Sequence, residues 1–80
     1  MPPAKTETEW EGRASRYLKA ELKRRDITYD ELADRLRRFG YKDETKASIA
    51  NKLVRGTFPA PFFIASLVAI GCENVRLDDI

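Results

Sequence analysis

The sequence contains no histidine and only one cysteine, Cys72. Histidine is the usual acid–base group near neutral pH and the commonest zinc ligand, so both of these roles lack their ordinary residue. One cysteine cannot form an internal disulfide or supply a cysteine-rich metal site. The four glycines are isolated from one another, so no glycine-rich phosphate loop is present. We therefore expect a protein that is not an enzyme and has no catalytic residues, metal or cofactor.

Long apolar runs are also missing. No fully apolar run exceeds four residues, and Phe62 to Ala65 is one of that length, whereas a membrane-spanning helix needs roughly 20. The N-terminal residues are polar and acidic and lack the apolar stretch of a signal peptide. We expect a cytoplasmic protein that does not enter a membrane.

Charge is present in quantity but is unevenly distributed. The 80 residues include 15 Lys and Arg against 13 Asp and Glu, for a net charge of +2. Residues 13–55 carry a net charge of +6, and the segments on either side each carry −2. The small total thus conceals a basic middle, which favours a polyanionic partner.

Helix signals dominate the sequence. Capping boxes, in which a hydroxyl and a carboxylate three residues later satisfy unpaired backbone N–H groups, begin at Thr6 or Thr8 and at Thr28. A third helix begins around Asp43–Thr45, and Gly40, Gly56 and Gly71 mark stops. These signals predict four helices, over about 9–25, 28–39, 45–55 and 61–70.

We therefore predict an all-α fold, a small four-helix domain with a helix-turn-helix core. The alternation in Val75–Leu77 adds one short C-terminal strand to this prediction. The predicted organisation is a single domain over 1–80. It consists of a flexible N-terminal arm (1–8), the helical domain (9–71) and a C-terminal extension (72–80).

The third predicted helix carries the most informative surface. At 100° per residue, its apolar side chains, Ala47, Ile49, Ala50, Leu53 and Val54, share a side that we expect to be buried. The other side is a stripe of a hydroxyl, an amide and two cations with no acid: Ser48, Asn51, Lys52 and Arg55. Such groups can read base edges or bind phosphate. The alternative is an ordinary solvated face of an amphipathic helix.

The fourth predicted helix is apolar around its circumference, apart from Ser66. A helix of this kind must be covered on every side. Two interpretations are open: an oligomer interface formed by Phe62, Phe63 and Leu67, or a central helix covered by its own chain.

Two resemblances can now be stated. Residues 27–36, ITYDELADRL, resemble the opening of the helix-turn-helix in the Cro/lambda-repressor-like family, and residues 50–56, ANKLVRG, resemble the end of its recognition helix. This resemblance implies that the third helix enters the major groove while the second lies across the DNA backbone. Residues 48–58, with Phe62-Phe63 and 69–71, are more similar to small bacterial and phage domains of unknown function.

We therefore expect a non-catalytic, double-stranded-DNA-binding transcriptional regulator that forms a homodimer. The candidates for base edges are Ser48, Asn51 and Lys52. The candidates for phosphate, or for either target, are Tyr29, Arg37, Arg38, Lys42, Thr45, Lys46 and Arg55. The competing hypothesis is a protein-interaction module, such as an antitoxin-like adaptor, that docks through residues 61–70.

Overall fold

The computed structural model describes residues 2–80 and contains four α-helices. They are α1 (Glu7–Arg24), α2 (Tyr29–Arg38), α3 (Lys46–Arg55) and α4 (Ala60–Ala69), and a short 3₁₀ helix follows at Leu77–Asp79. The predicted all-α four-helix fold is confirmed.

The predicted C-terminal strand is wrong. Over residues 2–80 the structure contains no strand, and Leu77 begins the 3₁₀ helix instead. A single extended segment has no ladder to join when every neighbouring element is a helix. None of the helices within this same range is long and apolar enough to cross a membrane.

Threonine caps begin the first three helices, and those of the first two were predicted. The hydroxyls of Thr6, Thr28 and Thr45 each accept a hydrogen bond from the backbone N–H three residues later. The first cap is Thr6, so α1 includes Glu7 and Thr8, which were assigned to the arm. Each cap satisfies a backbone donor that would otherwise lack an intrahelical partner.

One hydrophobic core joins all four helices. α3 packs against α1 and α2, and α4 packs against the same two helices. The buried apolar residues are Tyr17, Leu18, Leu22, Leu32, Ala33, Leu36, Ile49, Leu53, Phe62, Leu67 and Ile70. Each large side chain in this set contributes about 1.5 to 3 kcal/mol by leaving water.

The connection between α3 and α4 is held by aromatic contacts. Phe58 lies 5.4 Å from Phe62 and 5.9 Å from Phe63, measured between ring centroids. Phe63 also contacts Tyr17 of α1, at 6.3 Å. This cluster holds the connection against α4, and α4 against α1, although the connection itself has no regular structure.

Two aromatic residues lie outside the core. Trp10 is 42% exposed and Phe39 is 53% exposed. α3 ends at Arg55, and Gly56 lies against the Glu11 backbone, so Trp10 extends past the end of its neighbouring helix. Its ring instead contacts the Arg13 guanidinium, 5.1 Å from the ring centroid.

Gly56 fixes the end of α3 against α1. Its backbone is left-handed, with a φ of 70°, and a Cβ added there would lie 2.8 Å from the Glu11 carbonyl oxygen. A side chain at this position would therefore meet both backbone strain and a backbone clash. Gly71 has a similar φ of 84° with no atom within 4 Å of the added Cβ.

We predict that Gly56→Ala destabilises the protein more than Gly71→Ala does. Gly71→Ala is the control, and it costs about 1 to 3 kcal/mol for backbone strain alone. The clash adds about 1 to 3 kcal/mol to the cost at position 56. Urea denaturation of both variants measures the difference, and equal free energies of unfolding would contradict the role given to the Glu11 contact.

Candidate nucleic-acid interface on α3

α3 buries only a narrow seam. Ile49 and Leu53, one turn apart, are almost completely buried in the core. The opposite side is open to solvent, with Val54 80% exposed and both Ala47 and Asn51 exposed. The predicted burial of Ala47 and Val54 is therefore wrong, because the helix is rotated so that the two large aliphatic side chains enter the core.

Ser48 does not face outward as a free hydroxyl. Its oxygen accepts a hydrogen bond from the Thr45 backbone N–H at 2.8 Å and donates to the Glu44 carboxylate. The Thr45 hydroxyl accepts in return from the Ser48 N–H, so the two residues complete a capping box. Thr45 and Ser48, both predicted to contact DNA, therefore use their side chains to cap the N-terminus of α3.

Lys52, the second predicted base-edge residue, forms an ion pair with Glu44. Its ammonium nitrogen lies 2.8 Å from each of the two carboxylate oxygens and 4.7 Å from the centre of the Phe62 ring. The Glu44 side chain is only 4% exposed, and a buried carboxylate needs such a partner. The positive charge of Lys52 is therefore neutralised within the fold.

Glu44 is the functional residue that sequence reasoning missed. It lies in the connection before α3, eight positions from Lys52, so neither helical periodicity nor a motif links the two residues. The only available signal is the absence of an acid on α3, which means that a partner for its cations must come from another segment.

Arg37 and Arg38 are held within the fold as well. Arg37 donates a hydrogen bond to the Glu44 backbone carbonyl at 2.8 Å, and Arg38 binds Asp34 at 2.8 Å. The Arg38 hydrogen bond and its positive charge lower the pKa of Asp34 below its ordinary value. Tyr29 is half-buried against the core. Of the predicted phosphate contacts outside α3, Lys42 is the one that is exposed and forms no ion pair with residues 2–80.

The remaining candidates share one exposed surface. Asn51, Lys46 and Arg55 are exposed and form no hydrogen bond or ion pair within the described part of the chain. Small side chains lie between them. We call this surface the α3 face, and its members are Lys46, Ala47, Ala50, Asn51, Val54 and Arg55.

A depression of about 250 Å³ borders the α3 face on the side of the aromatic connection. Asn51 and Arg55 line it together with Thr57, Phe58 and Pro59. The face is therefore a ridge beside a recess, in which an amide and a guanidinium are available as hydrogen-bond donors.

The predicted interface residues of α4 are not on the surface. Phe62 and Leu67 are buried in the core of their own chain, and Phe63 is half-buried against Tyr17 and Phe58. The interface prediction is corrected at these positions. The exposed apolar side chains of α4 are Ile64, at 61%, and Val68, at 57%.

No metal site is evident in the part of the chain that the structure describes. Its cysteine and carboxylate residues form no group of three that could hold an ion. The chemistry available on the α3 face is therefore hydrogen bonding, methyl contact and charge.

We predict that Lys52→Met destabilises the fold by about 1 to 3 kcal/mol, because it leaves a buried carboxylate without its cation. Asn51→Ala, the matched change on the exposed side of α3, stays within about 0.5 kcal/mol of the original protein. Adding Glu44→Gln to Lys52→Met recovers part of the loss. Urea denaturation measures all three, and an unchanged stability in Lys52→Met would show that the ion pair contributes nothing.

Comparison with known proteins gives one family match. The model of a family described as "Domain of unknown function (DUF6471)" matches residues 10–75 of the chain. No curated protein and no solved structure matches it. The expected resemblance to an uncharacterised domain is confirmed, whereas none of these comparisons supports the resemblance to the Cro/lambda-repressor-like family.

Proposed function

The chain belongs to the DUF6471 family, and we propose that this member is a non-catalytic protein that binds double-stranded DNA by inserting α3 into the major groove. One observation supports the proposal above the others. The exposed side of α3 combines small side chains with an amide and two cations that have no partner among residues 2–80.

The shape of the α3 face suits close approach to base edges. A major groove about 12 Å wide admits one helix, provided that its side chains do not hold it away. Ala47 and Ala50 are short, and Val54 presents only methyl groups. Methyl groups of this kind can contact the thymine methyl, and Asn51 can form two hydrogen bonds with adenine.

The charges on the α3 face lie at its two ends. Lys46 begins the helix and Arg55 ends it, so about 13 Å of helix separates their Cα atoms. Cations in these positions can bind phosphates on either side of the groove while the middle of the helix faces the bases. Asn51 then replaces Ser48 and Lys52 as the strongest candidate for base contact, while Lys46 and Arg55 are candidates for phosphate contact.

The packing of α2 against α3 supports a helix-turn-helix arrangement. In this arrangement the first helix crosses the DNA backbone while the second enters the groove. The connection over residues 39–45 is long, and Glu44 within it fixes the start of α3.

Regulation of transcription is the role we propose for such a DNA-binding protein.

We predict that Ala47→Glu lowers duplex affinity at least tenfold, because it places a negative charge on the α3 face. Asn74→Glu is the control for added negative charge, since Asn74 is also exposed but lies in the C-terminal extension, outside the α3 face. Fluorescence anisotropy with a labelled duplex measures both affinities, and circular dichroism confirms that both variants fold. Equal affinities in the two variants would contradict the placement of α3 in the groove.

A second candidate, a protein-interaction role through α4, is favoured by the exposure of Ile64 and Val68. These residues are one turn apart on a helix that has no charged side chain. We propose a second copy of the chain as the partner, since two copies would present two α3 faces to adjacent half-sites.

We predict that Ile64→Glu/Val68→Glu is a folded monomer, because both positions are exposed and the charges oppose apolar contact between copies. Val75→Glu/Leu77→Glu, which changes two exposed apolar residues outside α4, keeps the oligomeric state of the original protein. Sedimentation equilibrium measures the mass of each. A dimer that persists in the α4 variant, or an original protein that is monomeric at high concentration, would refute this candidate.

A further inference from the structure

A groove of about 530 Å³ lies between α1 and the C-terminal end of α3. It borders the α3 face directly, since Val54 and Arg55 belong to both. On the α1 side its wall carries Arg13, Arg16 and Lys19. The groove is thus a continuation of the proposed DNA-binding surface onto a helix that this surface does not otherwise include.

The two walls of the groove are fixed to each other at two points. The Ser15 hydroxyl donates a hydrogen bond to the Leu53 backbone carbonyl in the interior. Gly56 lies so close to the Glu11 carbonyl that only a residue without a side chain fits. Because these contacts join α1 to the end of α3, the backbone positions that carry the cations of the two helices are fixed relative to each other without any ligand.

The cations of this groove are available to a ligand. Arg16, Lys19 and Arg55 are exposed and form no ion pair with any of residues 2–80. In contrast, Arg24 and Arg25 are both paired with the buried Glu21. Three basic side chains that form no ion pair among residues 2–80 therefore line one groove beside the α3 face.

Two carboxylates also line the groove and limit where an anion can lie. Glu9 and Glu11 are near the N-terminal end of α1, and the Glu9 carboxylate accepts a hydrogen bond from the Lys5 backbone N–H at 3.2 Å. Arg16 and Lys19 are five to ten residues further along the same helix. A polyanion would therefore contact the part of the groove formed by Arg16, Lys19 and Arg55.

We propose that this groove binds the sugar-phosphate backbone of the duplex whose major groove receives α3. The inference rests on the proposed function and extends it, because it assigns α1 a phosphate-binding role that is independent of sequence. The rigid connection of α1 to α3 means that phosphates bound in the groove set the position of α3 along the DNA. Phosphate contacts position a protein in this way, whereas base contacts select the sequence.

The test is the salt dependence of duplex binding by Arg16→Gln/Lys19→Gln. Each phosphate contact contributes about 0.9 to the slope of log affinity against log salt concentration, so two lost contacts make the slope shallower by about 1.8. The ranking of duplexes of different sequence stays as in the original protein. Lys5→Gln/Arg76→Gln removes the same charge from exposed positions outside the groove and leaves the slope unchanged.

Several outcomes would overturn the inference. An unchanged slope in Arg16→Gln/Lys19→Gln, with Ala47→Glu still defective, would remove the groove from the interface while α3 stayed in it. An equal loss of slope in the Lys5→Gln/Arg76→Gln control would show a general effect of net charge. An altered sequence preference would show base contact in place of phosphate contact. Failure of the original protein to bind any duplex would refute the proposed function, and the inference with it.

Discussion

The buried Glu44 carboxylate ties three helices together. It accepts hydrogen bonds from Ser48 and Lys52 of α3, while the carbonyl of the same residue accepts from Arg37 of α2. Lys52 in turn lies over the Phe62 ring of α4. A carboxylate removed from water is tolerated only with such partners, so the start and the rotation of α3 depend on this set of contacts. The identity of the exposed side chains on α3 follows from that rotation.

The helix boundaries could be predicted from the sequence because they depend on local chemistry. A threonine hydroxyl caps a helix a few residues away, and a glycine ends one by adopting a left-handed backbone. The rotation of α3 could not be predicted in this way. Ala47 and Val54 are apolar enough to be assigned to the core, but Ile49 and Leu53 fill the available space, and Glu44 draws Lys52 inward. That carboxylate lies in the connection between α2 and α3, where no helical periodicity indicates that it will be buried.

The side of a helix that faces the core was also beyond sequence prediction for α4, and this affects the candidate site. A helix that is apolar on every side carries no signal for which side faces its neighbours, so Phe62 and Leu67 were assigned to an interface although they complete the core. Packing against α1 and α2 leaves Ile64 and Val68 outside. Of the residues predicted to touch base edges, Asn51 alone keeps a free side chain, and the sequence placed it correctly on the exposed side. Arg16 and Lys19 belong to the basic middle of the sequence, but their position beside Arg55 depends on the close contact between Gly56 and Glu11.

The central claim is that α3 and its neighbouring cations form a surface for duplex DNA. Its most direct test is the affinity of the unaltered protein for a labelled mixed-sequence duplex. Fluorescence anisotropy measures this affinity at salt concentrations from about 50 to 300 mM. Release of counterions from several neutralised phosphates predicts a log–log slope of about −4 or steeper. An absence of binding at the lowest salt concentration, or binding that does not respond to salt, would contradict the claim.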